Sequence, residues 1–317
     1  MRYYAERSSV RFDLFLTALL LLAVNPLGAN ELSYECSKFK SPNNNTDANL
    51  VKAWKDSDEN LWEFVQEKVP AVLEHTGTAS FDEHLKGVQA ILRHWRSPEH
   101  LTNAGLFHSI YGTEGFQGFS LPLSERSTIQ DLIGVKAEKL AFVFCMVDRS
   151  TVDETVFDWK KEDLAPTTSS YTFRSRPELG RFRISLTKEE WLDFIELSLA
   201  DWLEQVEGAA TTANPLFLWG KGEAYAYRRL AYRKMNKILS VERIERLGTR
   251  PRNTLVAVMS TEPQETRHLV QARNPPVSDA AARALEALRA NGEFIPLDLS
   301  PQPIDGDSSP STDFDEF

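Results

Sequence analysis

Apolar residues recur at helical spacing in one segment after another, and no stretch sustains the two-residue alternation of a half-buried strand. That pattern restricts the chain to helices packed on helices. In NLWEFVQEKVPAVLEH (60–75), Leu61, Phe64, Val65 and Val69 share a face. SFDEHLKGVQAILRHW (80–95) opens with Ser80 and has Glu83 three residues on, a capping box, and its apolar face carries His84, Val88, Ile91, Leu92 and Trp95. PEHLTNAGLFHSI (98–110) sets Leu101, Ala104, Gly105 and His108 on one side. TIQDLIGVKAEKLAFVFCMVDR (128–149) reads as one further helix, and TKEEWLDFIELSLADWLEQV (187–206) as another, opened by a second capping box, Thr187 and Glu190. GEAYAYRRLAYRKMNKIL (222–239) and SDAAARALEALRANG (278–292) complete the set, while YTFRSRPELGRFRIS (171–185) is the one stretch suited to a short hairpin. The expected fold is all-α, a helical bundle over residues 50–240 with a C-terminal helical extension over 241–296.

The flanks read differently. Arg2, Arg7 and Arg11 precede the apolar run LFLTALLLLAV (14–24), followed by small residues around Ala29, the three-part pattern of a secretory signal peptide over 1–29. The run is shorter than the roughly 20 residues a spanning helix needs; the alternative to secretion is membrane attachment by an uncleaved signal anchor. Residues 30–49 form a polar linker containing the glycosylation sequon Asn44-Asn45-Thr46. Residues 297–317 are a Ser-, Pro- and Asp-rich tail with no Lys or Arg, expected to be disordered. The net charge of −10 argues against a nucleic-acid partner, which would call for a basic face. With only Cys36 and Cys145, a disulfide framework is excluded, and Cys145 in AFVFCMV is expected to be a buried thiol.

Two histidines on the inward faces of neighbouring helices, His84 and His108, suit a metal when a carboxylate joins them. Asp201 is the acid of choice. It shares a face with Phe194, Leu197 and Ser198 on an apolar helix, where a lone charge must have a partner. The bland alternatives are core histidines satisfied by hydrogen bonds and an aspartate tying helices together through Arg or Tyr. Asp148 is the competing acid, with Arg149 beside it. Tyr111-Gly112-Thr113-Glu114 reads either as a pocket loop or as a helix end turning at Gly112. His75, His94, His100 and His268 read as surface residues, and Arg228, Arg229, Arg233 and Lys234 as a solvated basic face that can also meet phosphate. Trp191, Phe194, Trp202, Tyr225, Tyr227 and Tyr232 read as core.

Four of these segments, in order and at similar spacing, resemble the HD-domain phosphohydrolases, and among them the hydrolase domain of RelA/SpoT-type alarmone enzymes. HLKGVQAIL places His84 where the family has its first histidine, NAGLFHS places His108 at the second, and IGVKAEKLAFV matches the helix that follows. LADWL places Asp201 at the distant aspartate, so the resemblance spans about residues 76–206. The AGLFHSIYGTE string (104–114) also resembles a narrower domain family of unknown function, which implies no activity. The HD resemblance implies a divalent ion (Mn, Fe or Zn) on His84, His108 and Asp201, and a phosphorylated small molecule as substrate. Arg126, Arg149 and Tyr111 would then contact the substrate, and Ser109 and Glu114 would complete or orient the ion's shell.

The departures fall on the ligands. Ser109 stands where the family has the aspartate of its His-Asp pair, and Gly112 and Thr113 where alarmone hydrolases have an acidic pair, with Glu114 one residue further on. A neutral hydroxyl is a poor ligand for a hard cation. A secreted protein would not meet cytosolic alarmones. Two functions follow as expectations: a metal-dependent phosphohydrolase with a degenerate site, or a non-catalytic HD-like module that binds a ligand or partner. An iron-oxygenase reading needs more His and Asp ligands than the chain offers. The geometric expectation is that the imidazole nitrogens of His84 and His108 and the Asp201 carboxylate converge within about 5 Å, the span that lets each reach one ion.

Overall fold

The computed structural model describes residues 47–69, 75–76, 79–113, 121–159, 171–209, 223–226, 228–262 and Gln264. Helix α1 (Ala48–Lys68) begins at Asp47, whose carboxylate accepts from the backbone N–H groups of Asn49 and Leu50 at 3.0 and 3.1 Å. It stops at Lys68, short of the expected end at residue 75, because Pro70 disfavours helical backbone at the residue before it. A two-residue ladder, β1 (His75–Thr76) with β2 (Ala79–Ser80), leads into α2 (Phe81–His94). Helix α3 (Glu99–Phe107) packs on α2, and Gly105 permits the approach: a Cβ there would lie 2.7 Å from the Leu92 side chain.

The segment read as one helix over 128–149 is two, α4 (Arg126–Ile133) and α5 (Val135–Met146). Gly134 separates them at φ 87, a backbone setting that costs a glycine little and breaks the helical ladder. Helix α6 (Arg149–Asp158) follows, in a stretch the apolar periodicity did not mark. Its start is pinned by the hairpin of β3 (Tyr171–Arg174) and β4 (Arg183–Leu186), which pair antiparallel with Phe173 opposite Ile184. The Asp148 N–H donates to the Arg174 carbonyl and the Arg176 N–H to the Met146 carbonyl, both at 2.9 Å. Asp148 caps α6 by accepting from the Ser150 N–H at 3.0 Å and pairs with Arg181, so its non-metal role runs through Arg181 rather than Arg149.

Helix α7 (Lys188–Ala209) is the axis of the bundle, contacted by α2, α3, α5 and, further on, α8 (Arg229–Glu242) and α10 (Arg250–Ser260). Its capping box forms as expected: the Thr187 N–H donates to Glu190 at 3.0 Å and the Glu190 N–H to Thr187 at 3.3 Å. Every residue from Trp191 to Glu204 is buried, including Asp193, Glu196, Asp201 and Glu204, which lie along one side of the helix and must therefore find partners in the core. Trp191, Phe194, Trp202, Tyr225 and Tyr232 all lie in the core, and Trp202 stacks on Tyr232 at 4.4 Å between ring centroids. Tyr227 lies outside the described residues.

Two expectations about the C-terminal part need correction. The boundary at residue 240 falls inside α8, and the helices beyond it, α9 (Ile244–Leu247) and α10, share the bundle core through Leu247, Leu255, Ala257 and Val258. The Trp95 indole N–H donates to Thr254 at 2.9 Å, tying α10 to α2. The basic face on α8 is also not simply solvated: Arg228 and Arg229 are buried and ion-paired with Asp153 and Glu262. The last residues of the expected linker, 47–49, instead cap and open α1; the signal segment, the rest of the linker, the helix expected at 278–292, His268 and the acidic tail lie outside the described residues. Among the described residues no helix is long and apolar enough to cross a membrane.

Candidate metal centre

Three elements bring the predicted ligands together. His84 lies in the first turn of α2, His108 caps the C-terminus of α3, and Asp201 lies in the fourth turn of α7. His108 Nε2 stands 3.2 Å from His84 Nε2, and Asp201 Oδ1 stands 3.2 and 3.3 Å from those two atoms. Among the described residues this is the group of histidine, cysteine and acidic side chains whose ligand atoms gather closely enough for one ion, all within 4.8 Å. His108 and Asp201 are buried and His84 nearly so, 13% of its side chain remaining accessible.

The second nitrogen of each ring decides its chemistry. His108 Nδ1 is 2.7 Å from the Gly105 carbonyl, which can only accept, so Nδ1 carries the proton. His84 Nδ1 contacts the Glu204 carboxylate, which as an anion also only accepts. In the neutral imidazoles both Nε2 lone pairs therefore face Asp201. This is the arrangement in which protein ligands are oriented for a metal by partners behind them. Asp201 and Glu204 are three residues apart and so project from one face of α7.

Charge and packing complete the surroundings. Arg149 lies 3.6 Å from Asp201 Oδ2, and its guanidinium sits over the Phe144 ring at 4.5 Å. Gln205 donates to Asp201 Oδ1 at 3.2 Å. The His108 ring meets Phe144 edge-on, and the Cys145 thiol donates to the His108 carbonyl at 3.0 Å. Cys145 is a free, buried cysteine, and burial pushes its thiol up to about 12. Burial opposes a charge on His84, but Glu204 and Asp201 outweigh it and raise its pKa to about 10. Burial likewise opposes the Asp201 anion, yet the His108 and His84 rings, in their protonated forms, and the charge of Arg149 hold that carboxyl far below its ordinary range. The carboxylates make this a place where positive charge is favoured.

The other candidates part company. Ser109 is buried directly after His108, and its carbonyl accepts from the Gly112 N–H at 2.9 Å. Gly112 has φ 76, a left-handed turn position four residues past the His108 cap. Glu114 lies outside the described residues. Arg126 does not join the cluster: it grips Glu138 through two hydrogen bonds, at 2.6 and 2.9 Å. The Tyr111 hydroxyl donates to the same carboxylate at 3.1 Å, so the two are committed to a fully buried acid. His100, read as a surface residue, is paired with Asp193 at 2.8 Å and is only 21% accessible. Glu204 was not singled out from sequence, although ADWLEQ displays it three residues after Asp201 on an apolar helix, the available signal.

No curated protein and no solved structure matches the chain. Residues 64–149, which hold both histidines but neither Asp201 nor Glu204, match a family model described as a domain of unknown function, DUF6817, consistent with the AGLFHSIYGTE resemblance, and no match links the chain to the HD-domain proteins.

Proposed function

We propose that the bundle holds one divalent ion on His84, His108 and Asp201 and acts as a metal-dependent phosphoester hydrolase whose ligand set is one carboxylate short. The observation that carries this reading is the mutual spacing of His84 Nε2, His108 Nε2 and Asp201 Oδ1, 3.2–3.3 Å on every side, with both Nδ1 atoms occupied behind. With bonds of about 2.1 Å to an ion, atoms so spaced subtend about 100° at it, between octahedral and tetrahedral values. Three protein ligands would leave the ion's remaining coordination positions to water. When bound, such an ion supplies Lewis acidity toward a phosphoryl oxygen and lowers the pKa of a water ligand. Arg149 holds a permanent positive charge beside Asp201, where phosphoryl charge would need neutralising. The Arg126 and Tyr111 assignments are not carried forward, because Glu138 holds both.

A second reading has its own observation. The same three atoms lie within hydrogen-bond reach of one another, so a proton on His84 Nε2 satisfies the cluster with no ion and leaves a non-catalytic module. Titration calorimetry with Mn²⁺, Fe²⁺ and Zn²⁺, followed by a panel of phosphomonoesters and phosphodiesters, separates the two. The hydrolase reading expects one ion per chain, loss of binding in His108→Ala, and ion-dependent turnover lowered in Arg149→Ala. Failure of every ion to bind the wild type overturns it.

A further inference from the structure

We propose that Glu204 is a positioning residue that holds the His84 ring in its ligand orientation, and that position 87 is glycine because the Glu204 side chain lies across α2 there. The inference rests on the metal reading above. His84 has one nitrogen in the ligand triangle and the other on Glu204, so the ring is fixed at both ends. Without Glu204 the imidazole can turn about its side-chain bonds and carry Nε2 out of the triangle. His108 has an equivalent support in the Gly105 carbonyl, which backbone packing supplies. His84 sits in the first turn of its helix, where the backbone groups left without helical partners are N–H donors and not carbonyls, and the support has come from another helix.

Gly87 is three residues after His84 and faces α7 beside it. A Cβ at position 87 would lie 2.7 Å from Glu204 Cγ and 2.8 Å from its Oε1. Those are impossible contacts, and relieving them means moving the carboxylate that His84 holds. The backbone of Gly87 is ordinary helix, so room for Glu204, and not conformational freedom, is what an alanine there would remove.

The test measures Zn²⁺ and Mn²⁺ affinity and ion-free melting temperature for the full chain as wild type, Glu204→Ala, Glu204→Gln, Gly87→Ala and the Gly87→Ala/Glu204→Ala double variant. Glu204→Ala is expected to bind ion about 10- to 100-fold more weakly, the usual cost of losing a partner behind a histidine ligand. Glu204→Gln should recover most of that loss, since its amide oxygen accepts the same Nδ1 proton; a merely structural carboxylate would move the melting temperature and not the affinity. Gly87→Ala should weaken binding as Glu204→Ala does, and in the double variant it should cost nothing further, because the shortened side chain makes room for the methyl group. Wild-type binding that persists within about threefold in Glu204→Ala, well short of the expected range, overturns this proposal alone. Fully additive losses from the two alanines overturn the role of Gly87. If the wild type binds no ion, the metal reading itself falls, and this proposal with it.

Discussion

Helix α7 carries two carboxylate pairs of identical spacing, Asp193 with Glu196 and, about two turns later, Asp201 with Glu204. All four side chains are buried. Their partners differ in kind. Asp193 meets Lys136 at 3.0 Å, Arg243 at 2.8 Å and His100 at 2.8 Å. Glu196 accepts from Arg246 at 3.0 and 2.5 Å and from Ser97 at 2.5 Å. Permanent cations thus saturate the first pair and leave nothing for an ion to do. The second pair faces imidazoles that can present lone pairs, with Arg149 only at the edge. On the proposed reading, the same two acids on the same helix serve as a clamp where lysine and arginine claim them, and as a ligand platform where two imidazoles lie closest.

The largest effect should come from breaking the clamp. Glu196→Ala leaves the guanidinium of Arg246 and the edge of Arg243 without their buried anion, and a loss of about 3–5 kcal/mol is expected in denaturant unfolding. Its ion affinity, measured on the folded fraction, should equal that of the wild type. A fall in ion affinity would mean the two ends of α7 are one functional unit. The converse substitution is Asp201→Asn, which keeps shape and removes the one anionic ligand. Ion binding should weaken by more than about 100-fold, beyond what losing a supporting partner costs, with a smaller loss of stability than Glu196→Ala. Retained affinity would put the ion elsewhere or nowhere.

Acid probes the first pair directly. Burial alone would push the Asp193 carboxyl up, but the hydrogen bond from His100, the charge of Arg243 and the hydrogen bond from Lys136 hold it at about 2. A carboxyl depressed on folding contributes stability above its unfolded pKa near 3.8 and loses it as pH falls through about 2. The contribution is about 2 kcal/mol, from slightly under two pH units of displacement. Asp193→Asn should therefore flatten the stability curve between pH 4 and pH 2 and lower stability at pH 7 by a similar amount. Unfolding midpoints across that range measure it, and an unchanged acid limb would show that Asp193 is not held by its cations.

The helices and the triangle of His84, His108 and Asp201 were legible because each carries a local signature: a 3.6-residue apolar period and motif order. The remainder depended on partners far along the chain. Arg228 and Arg229 look like a solvated face until Asp153 and Glu262 are folded against them, and sequence spacing says nothing of such pairs. Arg126 is a natural candidate for neutralising substrate phosphate, yet its partner Glu138 stands only 12 residues away on the next helix. The break at Gly134 was hidden because apolar residues on either side continue the same count. Asp193-Glu196 and Asp201-Glu204 were indistinguishable as spacing; only the residues that answer them tell them apart.

The smallest effect tests whether a histidine alone is enough. His100 is the histidine of the first cluster, bound to Asp193, but Lys136 and Arg243 already neutralise that carboxylate from other sides. Its side chain is about one-fifth exposed, and Lys136 and Arg243 remain on the carboxylate when the imidazole is removed, so the anion is not left unpaired. His100→Ala should cost under about 1 kcal/mol and leave ion affinity unchanged in calorimetry. A measurable loss of ion binding would mean that a second ion is held at Asp193, and the division of α7 into a clamp and a platform would fail. An unchanged affinity, beside the loss expected in His108→Ala, would place the distinction where the geometry does: an imidazole serves as a ligand where its acid is not already claimed by lysine and arginine.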